Sequence, residues 1–169
     1  MRIAIIGAHQ VGKTTLAEEL MEKLTGYTLE TEPYLQLEAS GYEFSSPPIG
    51  EDFLEQFNYS LKLVSKDEDN ILFDRCIIDI LAYLHAVEPE KNIQELFKTA
   101  EEAFTEIDLL VFMPVEEPDL IPKHQADMSE LRDTVNELLN DWIWSFDIET
   151  IEVSGSVSNR VNQVLAKIR

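Results

Sequence analysis

The residues best equipped for chemistry lie near the start of the chain, in Gly7-Ala8-His9-Gln10-Val11-Gly12-Lys13-Thr14-Thr15. Two glycines at this spacing let the backbone turn tightly, so that successive N–H groups converge and can hold an anion such as phosphate. Lys13 is spaced to reach the β- and γ-phosphates of a nucleoside triphosphate, and the Thr14 hydroxyl to ligate Mg²⁺. The expected nucleotide contacts are therefore Gly7, His9, Gln10, Val11, Gly12, Lys13, Thr14 and Thr15. At His9 the backbone N–H matters more than the imidazole.

Other candidates are spread along the chain. Asp74 closes the apolar run Ile71-Leu72-Phe73. A strand ending on an acid supplies the second Mg²⁺-holding carboxylate, Asp74 with Thr14, if that strand lies beside the first; the bland role is a helix cap. Arg75 follows and can contact a phosphate bidentately or pair with a surface acid. Glu32, at a strand end before Pro33, can accept the proton of an attacking hydroxyl or stand as one more exposed acid. Tyr34, Tyr42 and Phe44 are candidates to stack a flat ring, whereas Phe53 and Phe57 share a helical face and read as core. Lys123, His124 and Arg132 are the cations in or beside a loop that can act as a lid over a transferring phosphoryl. His85 reads as structural.

These residues need a scaffold that brings distant strand ends together. Residues 3–6 form an apolar run suited to a buried strand, and Leu16, Ala17, Leu20, Met21 and Leu24 recur at helical spacing behind the glycine motif. A strand before and a helix after is the context a phosphate-binding loop requires, and the helix N-terminus adds its partial positive charge. Further strands are predicted at 27–31, 70–73, 109–113 and 148–153. Helices are predicted around 53–64, 77–87, 93–104, 131–142 and 161–168. Residues 34–50, with Gly41, Pro47 and Pro48, read as loop or broken helix, and 115–127 as a surface loop. Strands alternating with helices imply a three-layer α/β/α domain with a mainly parallel sheet, whose ligands sit at the carboxyl ends of the strands.

Composition narrows the partners. The chain has 169 residues, 13 Lys and Arg against 33 Asp and Glu, and a formal charge of −20. Such a surface repels nucleic acid and anionic membrane, and nucleotide binding must then rest on Mg²⁺ and a few placed cations. No stretch reaches the apolar length of a membrane helix, and the first residues read as a strand rather than a secretion signal. One cysteine, Cys76, fits a reducing compartment, so the expectation is cytoplasmic. Residues 1–169 read as one domain.

Taken together, the glycine loop, Glu32-Pro33, Asp74-Arg75 and Ser154-Gly155-Ser156 resemble the nucleoside- and nucleotide-kinase branch of the phosphate-loop NTPases. Glu-Pro after the second strand resembles the deoxynucleoside kinases, where the glutamate serves the acceptor hydroxyl. Asp74-Arg75 followed by Cys76-Ile77-Ile78-Asp79-Ile80-Leu81-Ala82-Tyr83 is similar to the AAA-domain nicotinamide riboside kinase group. The resemblance implies a five-stranded parallel sheet of order 2-3-1-4-5, with Asp74 beside the phosphate loop. It implies that Gly155 and Ser156 border the adenine of ATP, with Arg160 near that ring, and that residues 114–131 form a lid. The lid departs from the family pattern: it holds Lys123 and no arginine, with Arg132 the nearest.

The reading is a Mg²⁺- and ATP-dependent small-molecule kinase, in which Lys13, Glu32, Asp74, Arg75 and Arg132 carry the transfer. Residues 32–68 contain no arginine, and Lys62 and Lys66 fall toward a polar helix end, so a phosphate-bearing acceptor would lack a placed counter-charge and a nucleoside-like alcohol is expected. The alternative is an ATP-binding regulatory or interaction module with weak ATPase activity. A GTPase switch is disfavoured because no Asn-Lys-x-Asp segment reads guanine. A homodimer is compatible with this reading.

Overall fold

The computed structural model describes residues 1–117 and 128–168. In order, the elements are β1 (Arg2–Ile6), α1 (Lys13–Met21), β2 (Thr28–Glu30), α2 (Pro33–Ala39), α3 (Gly50–Val64), β3 (Ile71–Asp74) and α4 (Ile77–Val87). Then come α5 (Gln94–Ala103), β4 (Leu109–Phe112), α6 (Ser129–Trp142), β5 (Thr150–Glu152) and α7 (Val157–Ile168). The strands pair in parallel as β2-β3-β1-β4-β5, the expected order.

Every residue of β1, β3 and β4 is buried, whereas the edge strands β2 and β5 are partly exposed. Continuous apolar runs such as Ile3-Ala4-Ile5-Ile6 are what a parallel strand covered on both faces demands. Helix α1 packs against α7, while α3, α5 and α6 pack around α4, which gives a layer on each side of the sheet. Residues 77–84 of α4 are all buried. A helix apolar all round belongs in the interior, and α4 starts there because the Asp79 carboxylate accepts the Cys76 N–H at 3.0 Å.

Register decides what meets at the sheet's edge. Ile5 lies opposite Asp74, Ile6 opposite Phe112, and Glu30 opposite Phe73. The carboxyl ends of the strands therefore come level, and the segments after them share one rim.

Some boundaries differ from the sequence reading. The stretch read as loop or broken helix from residue 34 holds α2, which Pro33 can open because a missing N–H costs nothing in a helix's first turn. Helix α3 begins at Gly50, three residues before the apolar stripe, where Asp52 accepts the Ile49 N–H at 3.0 Å. The second and fifth strands are shorter than expected, as suits edges with one neighbour each. Most of the predicted 115–127 loop and of the 114–131 lid, including Lys123 and His124, lies outside the described residues. Among the described residues no helix is long and apolar enough to cross a membrane.

Candidate active site

The glycine motif forms a loop between β1 and α1. Gly7 has φ +152°, and a Cβ there would sit 2.5 Å from the Met113 carbonyl oxygen, so the loop's close approach to the end of β4 excludes any side chain. Gly12 has φ +91° where the loop enters α1, and Gln10 is left-handed at φ +56°. Lys13, only 4 % exposed, donates from Nζ to the Ala8 carbonyl at 2.7 Å. The Thr14 hydroxyl donates to Asp74 Oδ2 at 2.7 Å, while Asp74 Oδ1 is buried with no hydrogen-bond partner. A cavity of about 290 Å³ lies over the loop, lined by Lys13, Thr14, Thr15, Glu32 and Arg75 among others.

A hydroxyl and a carboxylate, one oxygen of which lacks a partner, suit a hard cation. Among the described residues no cluster of three His, Cys, Asp or Glu could hold a metal by itself. Mg²⁺ commonly uses one or two protein ligands and completes its shell with phosphate oxygens and water. Thr14 and Asp74 fit that pattern.

A second cavity of about 370 Å³ adjoins the first and shares His9, Glu32 and Arg75 with it. At the junction Arg75 Nε lies 3.3 Å from Glu32 Oε2, in a charge contact without hydrogen-bond geometry. Glu32 is held there as the residue that caps α2, and Arg75 by the Ile5 carbonyl, which accepts its N–H at 3.0 Å. Tyr34, Phe44, Phe53 and Tyr83 form aromatic walls, with Gln56 and Met128 between them. Phe53 and Tyr83 stack at 5.3 Å, and the Arg75 guanidinium lies 5.0 Å from the Tyr83 ring centroid. The Tyr83 hydroxyl accepts the His9 N–H at 2.5 Å and lies 2.8 Å from His9 Nδ1.

Burial and the clustered cations set the electrostatics. Burial, then Lys13, Arg75 and Arg132, push His9 down to about 4, which keeps its imidazole neutral at pH 7. Burial and Arg75 bring Lys13 down to about 8 against the pull of Asp79, Glu32 and Asp74. Burial opposes the Arg75 charge, but Glu32, Tyr83, Asp79 and Asp74 outweigh it and hold its pKa above the usual arginine value. Asp74 is raised by burial and Glu32, partly offset by the Thr14 hydrogen bond, Lys13 and Arg75.

At the third edge of the site, the turn after β5 meets the segment after β4. Gly155 N–H donates to Glu116 Oε1 at 2.6 Å, and the same oxygen lies 3.2 Å from Arg160 Nη2. Arg160 Nη1 donates to the Val11 carbonyl at 2.7 Å. An open cleft of about 520 Å³ lies beside this network, lined by Asn136, Asn140, Glu152 and Gly155 among others. Ser156 stays out of that lining, its hydroxyl accepting the Asn159 N–H at 3.3 Å.

The structure thus gathers Lys13, Thr14, Glu32, Asp74 and Arg75 at one place. Tyr34 and Phe44 join the second cavity, but Tyr42 packs edge-on against Phe44 and donates to Asp52 at 3.2 Å. Arg132, read as a cation beside a lid, is 2 % exposed and donates to the His9 and Gln10 carbonyls at 2.9 and 3.2 Å. Arg160, read as lying near a base, is 6 % exposed and bound to the loop. Tyr83, Asp79, Gln56 and Glu116 were not singled out. Asp79 and Tyr83 did carry a signal: they are polar or polar-tipped residues four apart in an apolar helix, and so share a face.

A family model described as an AAA domain matches residues 2–160. No curated protein sequence matches the chain. Among solved structures, deoxyadenosine kinase from M. mycoides with bound dATP has a TM-score of 0.69 at 18% identity, over 99% of this chain and 98% of that one. Thymidylate kinase from Candida albicans has a TM-score of 0.67 at 20% identity, over 98% and 89% of the two chains. Shikimate kinase from Aquifex aeolicus has a TM-score of 0.63 at 17% identity, over 99% and 96%. At these identities the likeness is one of fold.

Proposed function

The chain belongs to the AAA-domain family, and on that premise we propose that it is a Mg²⁺- and ATP-dependent small-molecule kinase transferring a γ-phosphoryl group to a hydroxyl of a nucleoside-like acceptor. One observation carries this reading: the phosphate-side cavity adjoins an aromatic-walled cavity, with Glu32 and Arg75 lining both. A protein that only hydrolysed or exchanged nucleotide would need no such second chamber. Kinases of small molecules among its structural neighbours support the same reading.

Lys13 and the loop amides hold the phosphate tail, and Thr14 with Asp74 would hold Mg²⁺, which supplies charge neutralisation between the β- and γ-phosphates. Glu32 accepts the acceptor hydroxyl's proton as the new O–P bond forms and the bond from the γ-phosphorus to the β,γ-bridging oxygen breaks, releasing ADP. Arg75, its charge secured by Glu32, orients that carboxylate and offsets negative charge at the junction. Tyr34, Phe44 and Phe53 supply flat apolar faces for a ring. The turn after β5 borders the donor base through Gly155, which lines the open cleft, with Arg160 behind it.

The acceptor is taken to be free of phosphate. Among the described residues lining the second cavity, Arg75 is the permanent cation and is already paired with Glu32, while His9 is neutral. A monophosphate would bring up to two negative charges beside those of ATP with no further cation to meet them. The test is a panel of nucleosides and their monophosphates with Mg²⁺-ATP. Nucleoside-dependent ADP formation should exceed that with any monophosphate. Glu32→Gln should keep Mg²⁺-ATP binding while slowing transfer by about 10²–10⁴-fold. Faster turnover with monophosphates, or full activity in Glu32→Gln, would refute the assignment.

A further inference from the structure

Four successive carbonyls of the phosphate loop each accept from a cationic side chain. Ala8 is met by Lys13 at 2.7 Å, His9 by Arg132 Nε at 2.9 Å, Gln10 by Arg132 Nη2 at 3.2 Å, and Val11 by Arg160 Nη1 at 2.7 Å. Both arginines lie outside the motif, one near the start of α6 and one in the first turn of α7, and both are buried. In a trans peptide the carbonyl and the following N–H point in opposite directions. Pulling the carbonyls of His9, Gln10 and Val11 toward the arginines therefore turns the N–H groups of Gln10, Val11 and Gly12 the other way. Gln10 and Gly12 line the phosphate-side cavity.

We propose that Arg132 and Arg160 are positioning residues that clamp the loop's outer carbonyls and so hold its N–H groups ready for an anion before any nucleotide arrives. Arg132 spans two consecutive carbonyls with one planar guanidinium, a geometry that fixes a peptide plane as a single ammonium cannot. The clamp also bears on strain. Gln10 is a non-glycine residue at φ +56°, a conformation that persists only where its surroundings enforce it, and the hydrogen bond from Arg132 to its carbonyl is one such constraint. Arg160 is oriented in turn by Glu116, which also takes the Gly155 N–H, so the turn after β5 and the phosphate loop share one brace. The inference rests on the nucleotide-binding reading above and adds to it two residues that act on phosphate through the backbone rather than by touching it.

Calorimetry with Mg²⁺-ADP, which no transfer step consumes, tests the clamp. Arg132→Met should weaken binding roughly tenfold, and Arg132→Lys nearly as much although it keeps the charge. In a Gln10→Gly background, where the left-handed conformation costs little, the loss on Arg132→Met should shrink to about threefold or less. Thermal melts show which variants are folded, and Arg132→Lys carries the test if the methionine variant is not. Wild-type affinity in Arg132→Lys, or an equal loss in both Gln10 backgrounds, overturns the clamp alone. Absence of Mg²⁺-ADP binding by the unaltered protein overturns the clamp and the kinase reading together.

Discussion

Asp79 shows how a single residue can matter without touching a substrate. It is fully buried, one oxygen caps α4 through the Cys76 N–H, and the other has no hydrogen-bond partner. Burial pushes its pKa up to about 7, with Arg75, Lys13 and the Cys76 N–H pulling the other way. The unfolded carboxyl ionises near its ordinary value of 3.8, so between about pH 4 and pH 7 the folded chain binds the extra proton. This residue's contribution to stability is therefore full below about pH 4 and lost as the pH rises through about 7. Urea titrations of the unaltered protein and of Asp79→Asn across that range should show their stability difference shifting toward the unaltered protein on acidification. A pH-independent difference would remove Asp79 from the linkage. At this scale the sequence was legible for Lys13, Thr14, Glu32, Asp74 and Arg75, whose types fit one chemistry. It named Arg132 and Arg160 as well, but as a lid cation and a neighbour of the base, because an arginine that donates to carbonyls far away in the chain has no local signature of that contact.

Among the elements, β1, the loop and α1 were readable because periodicity, glycine spacing and helix start all agreed, and such agreement across levels is what specifies a structure. Helix α2 was legible only as loop or broken helix, because it is short and because Pro33 and a mixed composition read as a break. Helix α4 was found as a helix, yet its apolar composition concealed that it presents Tyr83 and Asp79 beneath the site. The tightest constraint between elements is at Gly7, where the loop meets the Met113 carbonyl at the end of β4. Gly7→Ala should cost about 1–3 kcal/mol of stability from backbone strain, with further loss from the 2.5 Å contact. It should also weaken Mg²⁺-ADP binding, since the loop can relieve the clash only by moving off β4. Denaturation midpoints matching those of the unaltered protein would show that the loop has slack.

For the molecule as a whole, the formal charge of −20 sets a background against which every anion must bind. Among the described residues, the permanent cations lining the phosphate-side cavity are Lys13, buried and held by the Ala8 carbonyl, and Arg75, held beside Glu32. Self-repulsion of the acidic surface should destabilise the folded chain at low salt. Raising the salt from about 0.1 M to about 1 M shortens the screening length from about 10 Å to about 3 Å. The thermal midpoint should rise by about 2–4 °C for each kcal/mol of repulsion removed. A midpoint that stayed level or fell would mean that repulsion among the surface acids does not limit the stability of the fold.

By itself the sequence determined the alternation of strand and helix, the phosphate loop and the acidic character of the surface. Each of these is written in neighbouring residues or in sums over the chain. Tertiary structure alone decided that Thr14 and Asp74 meet at 2.7 Å, that two cavities join at Glu32 and Arg75, and that Arg132 and Arg160 grip the loop from behind. Those facts depend on strand register and on helices packed from distant parts of the chain. The physical reason is that hydrogen bonds and charges act over a few ångströms of space, whatever the number of residues between the partners.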